Sequence, residues 1–207
     1  MRIMGVDEAG RGSVLGPLVL GGFAIEDGDL EALVRTGVTD SKRLTPRRRE
    51  RLVPELERLG QGRVQVLEAT VVDRTNINLL EMETMALLLR ELRPDRAYID
   101  APTHPAAIPR FVRELRALLD HQPELVVEPK ADLNYPVVGA ASVLAKVRRD
   151  REVAALGPVG SGYPSDPVTR DWIRGFLERG EPLPACVRTR WGTVADLCQQ
   201  VLFGGHP

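Results

Sequence analysis

Four acidic residues stand at the edges of candidate core elements. Asp7 and Glu8 follow Ile3-Met4-Gly5-Val6, Asp100 follows Ala97-Tyr98-Ile99, and Asp132 stands just behind Lys130 and Ala131. A carboxylate at the end of a buried strand is destabilising unless a cation or hydrogen-bond donors offset its desolvation. Each acid alone has an ordinary explanation as a strand end, a turn residue or, for Asp132, a helix cap. Together they supply the all-oxygen ligand set that two hard divalent cations need, with positions left for water and a phosphate. The chemistry that follows is metal-assisted hydrolysis of a phosphodiester. Neighbours on a strand face opposite ways, so Asp7 and Glu8 share an ion only if the strand ends or twists there, which Gly10 permits. Three histidines and two cysteines without ligand spacing leave oxygen as the donor for any metal.

Gly10-Arg11-Gly12-Ser13-Val14-Leu15-Gly16 matches a dinucleotide loop only loosely. A phosphate loop should lead into a helix, whereas Pro17 and Leu18-Val19-Leu20 read as a strand. A glycine turn offering backbone N–H groups beside a metal site fits better. Tyr163, within Gly160-Ser161-Gly162-Tyr163-Pro164, is either a packed loop residue or a platform for a sugar or base. Only Lys42, Lys130 and Lys146 are lysines among 28 basic residues, and a retained lysine points to a need for a compact ammonium. From Lys42 to Arg63 there are eight basic residues against three acidic, and Lys146, Arg148, Arg149 and Arg151 form a second cluster. Each cluster fits a solvated helix face or a nucleic-acid contact equally well. The net charge of −1 decides neither.

These residues need a scaffold, and hydrophobic periodicity predicts one. Strands are expected over 3–7, 17–25, 63–70, 96–100 and 124–128. Helices are expected over 45–59, 78–92, 108–119, 135–155 and 166–178, with a last one after Trp191. Gly139-Ala140-Ala141-Ser142 is small enough for the fourth of these helices to lie close on a sheet. The pattern predicts an α/β fold: a mixed five-stranded sheet flanked by helices, with a helical C-terminal segment. The 207 residues are expected to form one catalytic domain. Its core would occupy about 1–155, and a C-terminal loop and helices over about 156–207 would contribute to substrate binding. Trp172 and Trp191 are expected in the core. No apolar run reaches the length of about eighteen residues that a membrane span needs, and residues 1–5 do not resemble a signal peptide. The expected location is the cytoplasm.

The motifs resemble those of ribonuclease HII, the type 2 ribonucleases H. The likeness is carried by Asp7-Glu8-Ala9-Gly10-Arg11-Gly12, Leu15-Gly16-Pro17, Asp40-Ser41-Lys42, Tyr98-Ile99-Asp100 and Lys130-Ala131-Asp132. It continues through Ala140 to Val147, Arg149-Asp150, Gly162-Tyr163-Pro164 and Arg190-Trp191-Gly192-Thr193, with details that look archaeal. The resemblance implies an RNase H-like fold and endonucleolytic cleavage of RNA in RNA–DNA hybrids. It also implies incision of duplex DNA at embedded ribonucleotides, with two Mg²⁺ or Mn²⁺ ions, leaving 3′-hydroxyl and 5′-phosphate ends. Asp7, Glu8, Asp100 and Asp132 fall on its catalytic carboxylates, and the first three are taken as metal ligands. Gly10, Arg11 and Gly12 fall on the turn that senses the ribose 2′-hydroxyl, and Tyr163 on the tyrosine that packs against the next deoxyribose. Lys42, Lys130 and Lys146 fall where phosphate contact or active-site support is implied. Ser13 departs from the pattern, which has proline there. A monomer is expected, with no membrane and no protein partner that sequence can name.

Three other functions compete. A resolvase- or integrase-like nuclease would share the acids but ignore a 2′-hydroxyl. A hybrid-binding protein would show no metal-dependent turnover. A dinucleotide-dependent enzyme would be indifferent to chelators.

Overall fold

Two adjacent glycines in the second strand set how closely helices approach the two faces of the sheet. The structure, a computed structural model, describes residues 1–38 and 44–203. Lys42, with Asp40 and Ser41, lies outside the described residues. The chain divides into two compact units, one formed by Met1–Ala9, Val19–Gln65 and Ile77–Arg148, the other by Gly10–Leu18, Val66–Asn76 and Arg149–Pro207.

The strands are β1 (Arg2–Ala9), β2 (Leu18–Glu26), β3 (Gln61–Leu67), β4 (Arg96–Asp100) and β5 (Glu124–Glu128), in the order β3-β2-β1-β4-β5. β1 runs antiparallel to β2 and parallel to β4, and β4 runs parallel to β5, so the sheet is mixed. The α-helices are α1 (Leu30–Arg35), α2 (Pro46–Leu59), α3 (Ala69–Arg74), α4 (Ile77–Leu92), α5 (Ile108–Ala117), α6 (Ala131–Asn134), α7 (Pro136–Ala154), α8 (Pro167–Glu178) and α9 (Gly192–Phe203). The expected α/β architecture is present. α2 starts as the sequence predicts, with the Thr45 hydroxyl accepting from the Arg48 amide and Pro46 in the first turn. None of the described helices is long and apolar enough to cross a membrane.

Two boundaries differ from expectation. β1 continues through Ala9, paired to Val19, rather than stopping at Asp7. The strand expected to reach residue 70 ends at Leu67, because the Glu68 carbonyl accepts from the Val71 and Val72 amides and starts α3. Thr70, Val71 and Val72 carry strand propensity that this local turn overrides.

In the first unit, Ile3, Phe23 and Ile25 pack with Leu52 and Leu56 of α2 and with Val137, Val138, Ala141 and Leu144 of α7. Gly21 and Gly22 point to opposite faces of β2. A Cβ on Gly21 would lie 2.4 Å from the Ala141 carbonyl oxygen of α7. One on Gly22 would meet Met4 and then Leu92 and Leu88 of α4. Gly5 is tighter still, with the α7 backbone at Val137 only 2.2 Å from its virtual Cβ. Gly5 and Gly21 therefore meet the α7 backbone directly, Gly21 at Ala141 within the small-residue segment Gly139–Ser142 that predicts the close approach.

The second unit has its own core, formed by Val14, Leu15, Val153, Val159, Ile173, Val187, Val194 and Leu197. Trp172 and Trp191 pack against it while remaining partly exposed. The Asp166 carboxylate caps α8 by accepting from the Val168 amide.

Gly5→Ala is expected to destabilise the fold by about 3 kcal/mol, lowering Tm by roughly 6–12 °C, because backbone has no easy way to retreat. Gly28→Ala, where an added Cβ meets nothing within 4 Å, is the control and should leave Tm unchanged. Equal Tm values for the two variants would contradict the close helix–sheet contact.

Candidate active site

β1 and β4 are parallel, with Gly5 opposite Tyr98 and Val6 opposite Ile99. Paired residues share a face and side chains alternate, so two residues further on Asp7 and Asp100 lie side by side on the face of Gly5 and Tyr98. That is the face covered by α7. Asp7 is 6% exposed. Its Oδ1 accepts from the Glu8 amide at 2.8 Å, and Ser142 of α7 donates to it through its hydroxyl. Burial pushes the Asp7 carboxyl well above the usual carboxylate range, and the charges of Glu8 and then Asp100 push it further. The Ser142 and Glu8 donors oppose that rise without cancelling it. Glu8 belongs to the opposite side of β1 by alternation, yet its charge still acts on Asp7.

Asp100 closes β4, where it pairs with Glu128 of β5. After β5 the backbone turns through Lys130, which adopts a left-handed conformation with φ 60°. The turn delivers the Ala131 amide to Asp100 Oδ1 at 2.9 Å. Asp132 follows on α6, 7% exposed. Tyr135, between α6 and α7, stacks on Tyr98 with ring centroids 4.2 Å apart and fixes this segment to β4. Asp7, Glu8 and Asp100 thus share one electrostatic environment, and the segment bearing Asp132 is bonded to Asp100. Among the described residues, no three His, Cys, Asp or Glu side chains are already closed around a point that could hold an ion. The donor set nevertheless suits a hard cation: it is all oxygen, and its mutual repulsion is relieved either by protonation or by a divalent ion. Lys130 is exposed and Lys146, on α7, is half-buried.

In the second unit, the Gly10–Gly16 segment is strongly restrained. Gly10 has φ +89°, and a Cβ there would lie 2.6 Å from the Pro17 carbonyl oxygen. The Ser13 amide donates to the Gly10 carbonyl at 3.2 Å and closes the turn. Arg188, fully buried, donates to the Gly16 carbonyl through Nε and Nη2 and to the Arg11 carbonyl through Nη1. Desolvation, with the nearby Arg149 charge, lowers its pKa to about 10, so it remains a cation at neutral pH. Gly12 is exposed, and an added Cβ would meet nothing. The loop bearing Tyr163 joins the same segment: the Gly162 carbonyl accepts from the Val14 amide at 2.9 Å and from the Leu15 amide at 3.2 Å.

Ser142, Arg149 and Arg188 are not found by sequence reasoning. Ser142 reads in sequence as a small packing residue inside the Ala140–Val147 motif, with no role of its own. Arg149 reads as part of a charged cluster, yet it is 1% exposed. Its one signal is the Arg149-Asp150 motif; for Arg188 there is none.

The mixed five-stranded sheet is that of an RNase H-like fold, and its carboxylates near the ends of neighbouring parallel strands fit a metal-dependent nuclease. The family model for ribonuclease HII matches residues 4–194. A ribonuclease HII of Methanocella arvoryzae is 40% identical, over 97% of this chain and 95% of its own length. The crystal structure of ribonuclease H2 from Pyrococcus horikoshii OT3 superposes with a TM-score of 0.88 at 38% identity, covering 98% of this chain and 100% of that one. The RNase HII of Archaeoglobus fulgidus, solved in a complex with PCNA, matches with a TM-score of 0.85 at 40% identity, covering 94% of this chain and 96% of that one. The chain belongs to the ribonuclease HII family.

The raised Asp7 pKa fixes the sign of a pH effect. Its contribution to stability is fully present below the unfolded carboxylate range and is lost as pH rises through the higher folded value. Without divalent ions, Asp7→Asn should therefore raise Tm at pH 8, and the gain should shrink as pH falls towards the ordinary carboxylate range. A lower Tm for the variant at pH 8 in chelator would contradict this electrostatic picture.

Proposed function

We propose that this chain is an endoribonuclease that hydrolyses RNA in RNA–DNA hybrids and incises duplex DNA at embedded ribonucleotides, leaving 3′-hydroxyl and 5′-phosphate ends. The observation that carries this reading is the buried Asp7 beside Asp100 at adjacent parallel strand ends, in a chain of the ribonuclease HII family. Asp7, Glu8 and Asp100 would hold Mg²⁺ or Mn²⁺, two ions with substrate bound, and Asp132 would complete the catalytic set. Bound divalent ions supply Lewis-acid charge at the phosphate and favour water ionisation. Ser142 holds the Asp7 carboxylate in place by donating to it. The Ala131 amide fixes Asp100 in the same way.

Gly10, Arg11 and Gly12 are assigned to reading the ribose 2′-hydroxyl, the group that separates RNA from DNA. Gly12 is open to such a contact: it is exposed, and an added Cβ would meet no protein atom within 4 Å. Tyr163 is assigned to the sugar that follows, and Lys42, Lys130 and Lys146 to phosphate contact or support of the site. The whole chain acts as one catalytic domain in this reading, as a monomer in the cytoplasm.

Two substitutions test it. Asp100→Asn keeps an Oδ1 acceptor for the Ala131 amide, so the fold and hybrid binding should persist while cleavage falls at least about 10³-fold. Cleavage near the wild-type rate would end the acidic-site reading. Gly12→Ala should leave Tm unchanged and lower kcat/KM on a duplex with one ribonucleotide by roughly tenfold or more. Unchanged kcat/KM would remove the turn from the substrate.

A further inference from the structure

We infer that Arg149 is a positioning residue that couples the Gly10–Ser13 turn to Tyr163, with the Ser13 hydroxyl as its anchor. This rests on the proposed assignment of that turn and of Tyr163 to the substrate. The Arg149 side chain runs past two glycines. Its Cγ lies 3.4 Å from a virtual Cβ on Gly10, and its Nη2 lies 2.7 Å from one on Gly162. Nη2 then donates to the Ser13 hydroxyl oxygen at 2.8 Å, and the guanidinium carbon sits 4.6 Å from the centre of the Tyr163 ring. One planar cation thus touches the end of the turn through a hydrogen bond and the tyrosine through its π face. Nη1 reaches Asp150 Oδ1 at 3.2 Å, which restrains the plane of the group.

Stability alone explains this arrangement poorly. A buried guanidinium is costly to desolvate and contributes little net stability even when paired, whereas a fixed one specifies geometry. Ser13 adds to this. It is fully buried, its amide closes the turn on Gly10, and its hydroxyl accepts from Arg149. Proline, which the family pattern has at this position, could provide neither interaction. In this chain a hydrogen bond to Arg149 takes the place of a fixed φ. The consequence is that the turn and Tyr163 move as one, which matters most where a ribonucleotide is followed by a deoxyribonucleotide.

The test is a double-mutant cycle with Ser13→Ala and Tyr163→Ala, read on two substrates by the same enzyme preparation. The first substrate is a DNA duplex with one ribonucleotide and the second a continuous RNA–DNA hybrid. The ratio of kcat/KM values is unaffected by loss of folded enzyme, which lowers both equally. Ser13→Ala keeps the amide bond of the turn and should lower the ratio roughly fivefold to tenfold, mainly through the embedded ribonucleotide. The double variant should fall no further than Tyr163→Ala alone, within about twofold. If Tyr163→Ala lowers the ratio and Ser13→Ala leaves it unchanged, or if the two losses multiply, the coupling through Arg149 is wrong while the substrate assignment stands. If Tyr163→Ala leaves the ratio unchanged, the assignment of Tyr163 fails and the coupling with it. Arg149→Lys, which retains a donor but loses the planar stack, should lower the ratio as well, and the Ser13→Ala arm decides the question if that variant does not fold.

Discussion

The acidic site depends on burying one carboxylate against two others, and that burial depends on backbone contact between α7 and the sheet. Gly5 and Gly21 remove the side chains that would hold α7 away, and the helix backbone at Val137 and Ala141 meets them. At that separation the Ser142 hydroxyl reaches Asp7. The same approach strips water from Asp7 and raises its pKa. A site of this kind stores repulsion in the folded protein, and a divalent cation is the natural counterweight. Packing and electrostatics are therefore one design in the first unit: the helix that completes the core also desolvates the carboxylate.

The second unit solves a different problem, that of holding a loop rigid without regular structure. Buried arginines do this. Arg188 binds the carbonyls of Arg11 and Gly16, at two places on the glycine-rich segment. Arg149 binds Ser13 and lies on Tyr163. Each guanidinium offers five donors in a plane and so can satisfy acceptors from several chain segments at once, which lysine cannot do. The strong bias of this chain towards arginine has structural as well as surface uses.

Much of this is legible in the sequence. Apolar runs that end in Asp7-Glu8 and Tyr98-Ile99-Asp100 mark strand ends, and the parallel register of β1 and β4, continued by one residue, sets Asp7 beside Asp100. Small residues in α7 predict the close helix. What cannot be read depends on contacts distant in sequence or on unusual backbone. Nothing local announces that Lys130 takes a left-handed turn and presents the Ala131 amide to Asp100. Arg149 sits in a run of charged residues, and only its contact with Ser13, far away in the chain, reveals it as buried. The segment after Leu67 departs from expectation for the opposite reason: its β-branched residues favour a strand, and a local turn at Glu68 wins.

If these carboxylates use divalent ions to cut at ribonucleotides, one measurement tests it most directly. The wild-type protein is incubated with two otherwise identical duplexes, one containing a single ribonucleotide and one entirely DNA, with Mg²⁺ or Mn²⁺ and with chelator. The prediction is a cut at the ribonucleotide only when a divalent ion is present, with 3′-hydroxyl and 5′-phosphate ends, and an intact all-DNA duplex. Cleavage in chelator, or equal cutting of both duplexes, would contradict it.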